Sequence, residues 1–95
     1  MIPRKDAHQC PVSKTATLLS DTWTILIVHQ LLRSPMRFCE LERALGTIST
    51  RTLTLKLHRL ETIGIVEKKD EHHYSLTSSG KKLKKVIDAM EAWGK

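Results

Sequence analysis

Apolar residues recur along this chain at helical spacing for most of its length and change period only once. Pro11 and Ser13 predict a first short helix running through Leu19, because proline suits the first helical turn and serine the cap. Asp21 is a capping residue for a second helix from Thr22 to Leu32. Trp23, Leu26, Ile27 and Leu31 lie along one face of it, and Ile25, Val28 and Leu32 make the other faces apolar, the pattern of a buried helix. Ser34 and Pro35 end it in a turn. Phe38, Leu41, Ala44 and Leu45 then predict a third, short helix closed by Gly46. Ser49 caps a fourth, whose apolar positions Leu53, Leu57 and Leu60 recur at four and three and whose end is Gly64.

The period changes after Gly64. Ile65, Val66 and Glu67 read as one strand and Tyr74 to Thr77 as another, with the charged linker Lys68 to His73 as the tip of a β-hairpin. Ser78 or Ser79 caps a last helix that carries Leu83, Val86, Ile87, Met90 and Trp93 on one stripe. Two helices, a helix-turn-helix, a hairpin and a closing helix together spell a winged helix-turn-helix, an α+β fold that is mostly α. The expected organisation is an N-terminal arm over residues 1–10 and one domain over 11–95. Within that domain the helix-turn-helix occupies about 37–63, the wing about 65–77 and the last helix about 78–93.

Composition narrows the function. Ninety-five residues suit one small domain, and 40% hydrophobic against 27% charged residues is the balance of a folded globular chain. A core this small is marginal alone, and the apolar stripe of the last helix predicts a homodimer that buries Leu83, Val86, Ile87, Met90 and Trp93. The net charge of +6 and the isoelectric point near 9.6 point to a polyanionic partner. No run of about 18 apolar residues occurs, and the first ten residues are polar, with Arg4, Lys5 and Asp6. Membrane insertion and export are therefore not expected, and the cytoplasm is the expected location. Cys10 and Cys39 form no CxxC pattern, which argues against a disulfide framework or a structural zinc site and for a reducing compartment.

With Leu53, Leu57 and Leu60 facing inward, Arg51, Thr54, Leu55, His58 and Arg59 face outward on the fourth helix. Arginine can read a guanine edge or pair with phosphate, threonine can meet a base edge or a thymine methyl, and leucine only the methyl, so this face suits double-stranded DNA. Arg37 before the third helix, and Ser49 with Thr50 at the start of the fourth, are placed to take phosphate oxygens at helix N-termini. Lys68, Lys69 and His72 surround the hairpin tip; contact with neighbouring DNA backbone and a charged cover for an edge hairpin are equally good readings of them. Lys81, Lys82, Lys84 and Lys85 crowd the first turns of the last helix, where the helix dipole disfavours cations. His72 and His73 are adjacent and diverge in a strand, while His8, His29 and His58 have no partner at ligand spacing, so no metal is expected. No paired carboxylates, nucleophile motif or phosphate-binding glycine loop is visible, which leaves no enzyme and no cofactor to expect. The rival reading is a winged helix used only for protein contacts; the outward Arg51 and Arg59 argue against it.

The chain resembles the HxlR-type helix-turn-helix family, relatives of the MarR-type winged-helix regulators. The resembling stretches are Cys10-Pro11-Val12, Trp23 with the apolar helix behind it, Arg37-Phe38-Cys39-Glu40-Leu41, and Ile48-Ser49 with Leu53, Leu57 and Leu60. They continue through Glu61, Gly64, Tyr74-Ser75-Leu76-Thr77, Gly80 and Ala92-Trp93-Gly94. The resemblance implies a bacterial or archaeal homodimeric transcriptional regulator of inverted-repeat DNA, its first helix, with Val12, and its last helix forming the dimer. Three departures stand out: Asp21-Thr22 replaces the usual Gly-Lys before the tryptophan, Cys39 replaces a common asparagine, and the wing is short, from Lys69 to about His72. Some members sense reactive species through a cysteine just before Pro-Val, the position of Cys10. A small reactive effector acting on Cys10, which has Arg4, Lys5 and Lys14 for neighbours, is one expectation; an inert Cys10, or Cys39 in the first turn of the third helix as the reactive group, are the others.

Overall fold

The structure, a computed structural model, describes residues 10–95. Nearly all of the expected N-terminal arm, with Arg4, Lys5 and His8, lies outside the described residues. Helix α1 (Pro11–Leu18) begins with proline in its first turn, as expected. Its N-cap position is held by Cys10, however, and Ser13 lies inside the helix. In α2 (Thr22–Arg33) the Asp21 carboxylate accepts the Trp23 N–H at 3.0 Å, so the expected cap is the observed one. The buried face of α2 is Thr24, Ile27, Val28 and Leu31; Trp23 packs at the margin of the core and Leu26 is turned outward.

A two-residue strand β1 (Met36–Arg37) follows, which the periodicity did not predict because two residues carry no period. Then come α3 (Phe38–Leu45) and α4 (Thr50–Thr62), joined by a tight turn. Gly64, at φ +81°, ends α4 in the left-handed conformation that a side chain disfavours. The wing strands are β2 (Val66–Lys68) and β3 (His73–Leu76), each displaced by one residue from expectation. All three strands form one antiparallel sheet in the order β1-β3-β2, with Met36 opposite Tyr74 and Glu67 opposite Ser75. Ile65 is nonetheless tied in, since its carbonyl accepts the Thr77 N–H at 3.0 Å just beyond the ladder.

The last helix departs most from expectation. It is broken into α5 (Ser78–Lys81) and α6 (Lys84–Gly94), and the residue that caps α5 is Thr77, whose hydroxyl accepts the Gly80 N–H at 3.0 Å. The same hydroxyl donates to the Gly64 carbonyl at 2.6 Å, which locks the end of the wing to the turn after α4. The break places Lys81 and Lys82 at the C-terminal end of α5, where cations are favoured, so only Lys84 and Lys85 meet the unfavourable end of a dipole. Lys84 is compensated by Asp88 one turn on, at 2.7 Å, which raises its pKa.

One apolar core unites these elements: Ile27, Val28 and Leu31 of α2, Leu41 of α3, Leu53, Leu57 and Leu60 of α4, with Ile48, Ile65, Val66, Leu76 and Ile87 around them. Ile87 is 5% exposed and Leu83 packs against the same cluster, so these two members of the expected dimer stripe serve the chain's own core. What remains outside is Val86 at the margin, Met90 about half exposed and Trp93 almost wholly exposed.

Candidate nucleic-acid interface

The three leucines Leu53, Leu57 and Leu60 fix the rotation of α4, because each is essentially fully buried. Successive residues turn by about 100°, which leaves Arg51, Leu55, His58 and Thr62 along the outward strip. All four are exposed, Leu55 at 58%. Thr62 is a member the sequence reading missed, although it continues the same spacing. Thr54 flanks the strip on one side, and its hydroxyl donates to the Thr50 carbonyl at 2.8 Å. That bond leaves Thr54 an acceptor and a methyl group, and no donor, for a ligand. Arg59 flanks the other side and lines a separate cleft with Lys14 of α1 and Lys82 beyond α5. It is not brought together with Arg51 on the outward strip.

The helix starts are largely engaged within the chain. Ser49 accepts the Thr52 N–H at 3.1 Å and donates to the Thr52 hydroxyl at 2.9 Å, while Thr50 donates its hydroxyl to Glu42 of α3. Ser49 is therefore engaged in capping its own helix and Thr50 in tying α4 to α3, and what they can give a phosphate is backbone N–H. At α3 the Glu40 carboxylate reaches back to accept the Arg37 N–H at 2.8 Å. A negative group already sits at that N-terminus, which weakens it as a phosphate site; the exposed Arg37 side chain is the group there that suits an anion.

Asp21 links the capped end of α2 to α4 through Lys56, whose ammonium contacts its carboxylate. That cation holds the Asp21 pKa below the usual value of 3.8, with the Trp23 N–H helping and partial burial opposing. The wing tip is organised by Asp70, which accepts the His72 and His73 N–H groups at 2.8 and 2.9 Å and contacts His73 Nδ1 at 3.0 Å. These bonds, that from His72 foremost, pull the Asp70 pKa down to about 2. Lys69 and His72 are exposed at the tip, and Lys68 lies over the Tyr74 ring at 5.6 Å. Between wing and α3 runs a cleft of about 330 Å³ whose lining includes Arg37, Cys39, Lys68, Glu71 and His72, and Cys39 is exposed there among groups of both signs. Cys10 is exposed at the start of α1. Among the described residues no group of three or more His, Cys, Asp or Glu could hold a metal ion, and no helix is long and apolar enough to cross a membrane.

A second exposed region is apolar. Val12 of α1 is 77% exposed and shares a shallow depression with Val86 of α6. Farther along α6, Met90 neighbours Leu26 of α2, and Trp93 is 90% exposed.

Comparison with known proteins gives consistent matches. The model of the HxlR-like helix-turn-helix family matches residues 18–95. The HTH-type transcriptional regulator YvaP of Bacillus subtilis is 38% identical over 95 residues, covering 92% of this chain and 87% of YvaP. Among solved structures, quinone-bound YodB from B. subtilis superposes with a TM-score of 0.81 at 36% identity, over 90% of this chain and 97% of that one. The redox regulator HypR in its reduced form superposes with a TM-score of 0.83 at 32% identity, over 90% of each chain.

Proposed function

The chain belongs to the HxlR-like helix-turn-helix family of transcriptional regulators, and from that premise we propose that it works as a homodimer reading an inverted-repeat DNA operator. The observation that carries this reading is the outward strip of α4. A leucine exposed between an arginine and a histidine gains nothing from water but can pack on thymine methyl groups in a major groove. Arg51 is the principal base reader, Thr54 and His58 are secondary readers, and Thr50 offers backbone N–H to phosphate. Arg37, Arg59, Lys69 and His72 are positioning contacts to the DNA backbone.

Dimerisation joins the apolar surfaces of α1 and α6. Val12, Val86, Met90 and Trp93 are the residues it covers, and each large side chain buried contributes about 1.5–3 kcal/mol. The reading includes no enzymatic reaction and no cofactor, and its place of action is the cytoplasm. Regulation falls to a thiol: YodB is described bound to quinone and HypR as a redox regulator, and in this reading Cys10, exposed at the entrance to α1, is the responsive group of this chain. A protein-only module is separated from this by a salt titration of binding to random duplex DNA. Phosphate contacts give a log–log slope of about −0.9 per contact, so a steep negative slope is expected, whereas a module without DNA contacts gives no binding.

A further inference from the structure

The exposed hydroxyls of α4 are all engaged within the chain. Thr50 donates to the Glu42 carboxylate, Thr54 to the Thr50 carbonyl at 2.8 Å and Thr62 to the His58 carbonyl at 3.0 Å. What they keep for a ligand is a methyl group and an oxygen that can only accept. The helix also contains no Asn and no Gln, and its one acid, Glu61, is half-buried and off the outward strip. Lys56 is held by Asp21. The donors left on the strip are the side chains of Arg51 and His58, on either side of Leu55, and among the described residues neither takes part in an ion pair.

This inventory limits which base pairs the strip can read. In the major groove guanine is recognised by arginine on O6 and N7, adenine by the paired donor and acceptor of an Asn or Gln amide, cytosine by a carboxylate on its amino group, and thymine by apolar contact with its C5 methyl. The strip has the arginine and lacks both the amide and the carboxylate. The acceptor left on Thr54 suits the amino groups of adenine and cytosine equally, so it does not replace the amide. An A·T pair therefore offers this helix one distinctive handle, the thymine methyl, and Leu55, 58% exposed, is the group placed to take it. Resting on the DNA-binding reading above, we infer that Leu55 is a specificity-determining residue that recognises a C5-methylated pyrimidine in each half-site, close to the guanine read by Arg51. A rise of 1.5 Å per residue sets Arg51 and Leu55 about 6 Å apart along α4, which is about two base steps of 3.4 Å. Leucine has no hydrogen-bonding group, so it senses the methyl and not the rest of the ring. Thymine and 5-methylcytosine satisfy it alike; uracil and cytosine do not.

The test is the affinity of the full chain for the duplex enriched by site selection, with each thymine of a half-site replaced singly by deoxyuridine, for wild type, Leu55→Met and Leu55→Ala. At one thymine within about two positions of a guanine, loss of the methyl should weaken wild-type binding about fourfold, the effect of one buried methyl group. Leu55→Met should keep that discrimination and Leu55→Ala should lose it, with all three proteins unfolding at the same temperature because the side chain is outside the core. At the same position, 5-methylcytosine should bind wild type better than cytosine by about the same factor. A wild type indifferent to every uracil, a preference for thymine that persists in Leu55→Ala, or equal binding of cytosine and 5-methylcytosine would each overturn the inference. Sequence-selective binding that is blind to the methyl overturns this inference and leaves the DNA-binding reading standing, whereas a chain that enriches no duplex overturns both.

Discussion

Arg51 and Arg59 sit on one helix eight residues apart, yet their surroundings differ. Arg51 stands on the outward strip beside Leu55, whereas Arg59 lines the cleft toward α1. Arg51→Ala should therefore weaken binding to the preferred operator by about 1–3 kcal/mol and do so only for particular sequences. Arg59→Ala should lower affinity for all duplexes alike and reduce the salt slope by about 1. Affinity measured for operator and random DNA across a salt series checks both; undiminished operator affinity in the two variants would remove α4 from recognition. Gly80 is a residue whose importance only the structure reveals. A Cβ there would stand 2.3 Å from the Ile65 carbonyl oxygen, a backbone atom that cannot swing away. Gly80→Ala should cost about 1–3 kcal/mol in a thermal or denaturant unfolding experiment, and an unchanged midpoint would show that α5 can shift at no cost. The sequence places Gly80 in the first turn of the last helix and among the family-resembling positions but gives no reason for a glycine there, because the close approach to Ile65 is a tertiary contact, whereas the leucine spacing in α4 predicted its buried face outright.

The elements were legible in proportion to their length. Helices α2, α3 and α4 have two or more turns and capping residues, so their periodicity stands clear of noise. β1 spans two residues and exists because β3 offers it an edge. The break after Lys81 is set by Thr77 and Gly80 packing against Ile65, a tertiary constraint invisible to a helical wheel that fits straight through it. How α2 is held to α4 has a consequence for pH. The Asp21 pKa is lowered in the folded state, so its contribution is fully present above about 4 and is lost as pH falls through the lower folded value. Asp21→Ala removes the cap and the Lys56 partner together and should cost about 0.5–2 kcal/mol at neutral pH. The deficit relative to wild type should shrink as pH falls below about 4; a deficit independent of pH would mean that the carboxylate charge contributes nothing. The two thiols belong to different elements, Cys10 to the start of α1 and Cys39 to the cleft between α3 and the wing. Mild oxidation should lower operator affinity in wild type and Cys39→Ser but not in Cys10→Ser. No response in wild type would end the thiol account, and a response lost only in Cys39→Ser would move it to the wing cleft.

For the whole molecule, the two proposed functions fall on different surfaces, an exposed strip on α4 and an apolar face on α1 and α6. Trp93 is so exposed that Trp93→Lys removes no contact of the isolated chain's core. Combined with Met90→Lys, it should convert a dimer to a folded monomer in light scattering, with DNA affinity falling because two half-sites are no longer held together. A double variant that remains dimeric would place the interface elsewhere. A symmetric dimer presents two α4 helices related by a twofold axis, and such a pair fits successive major grooves about 34 Å apart. Selection of bound sites from a random duplex library tests this directly. The account predicts enrichment of an inverted repeat whose half-sites are centred one helical turn, or a whole number of turns, apart; no enrichment above random duplex, or a single asymmetric site bound by one chain, would contradict it.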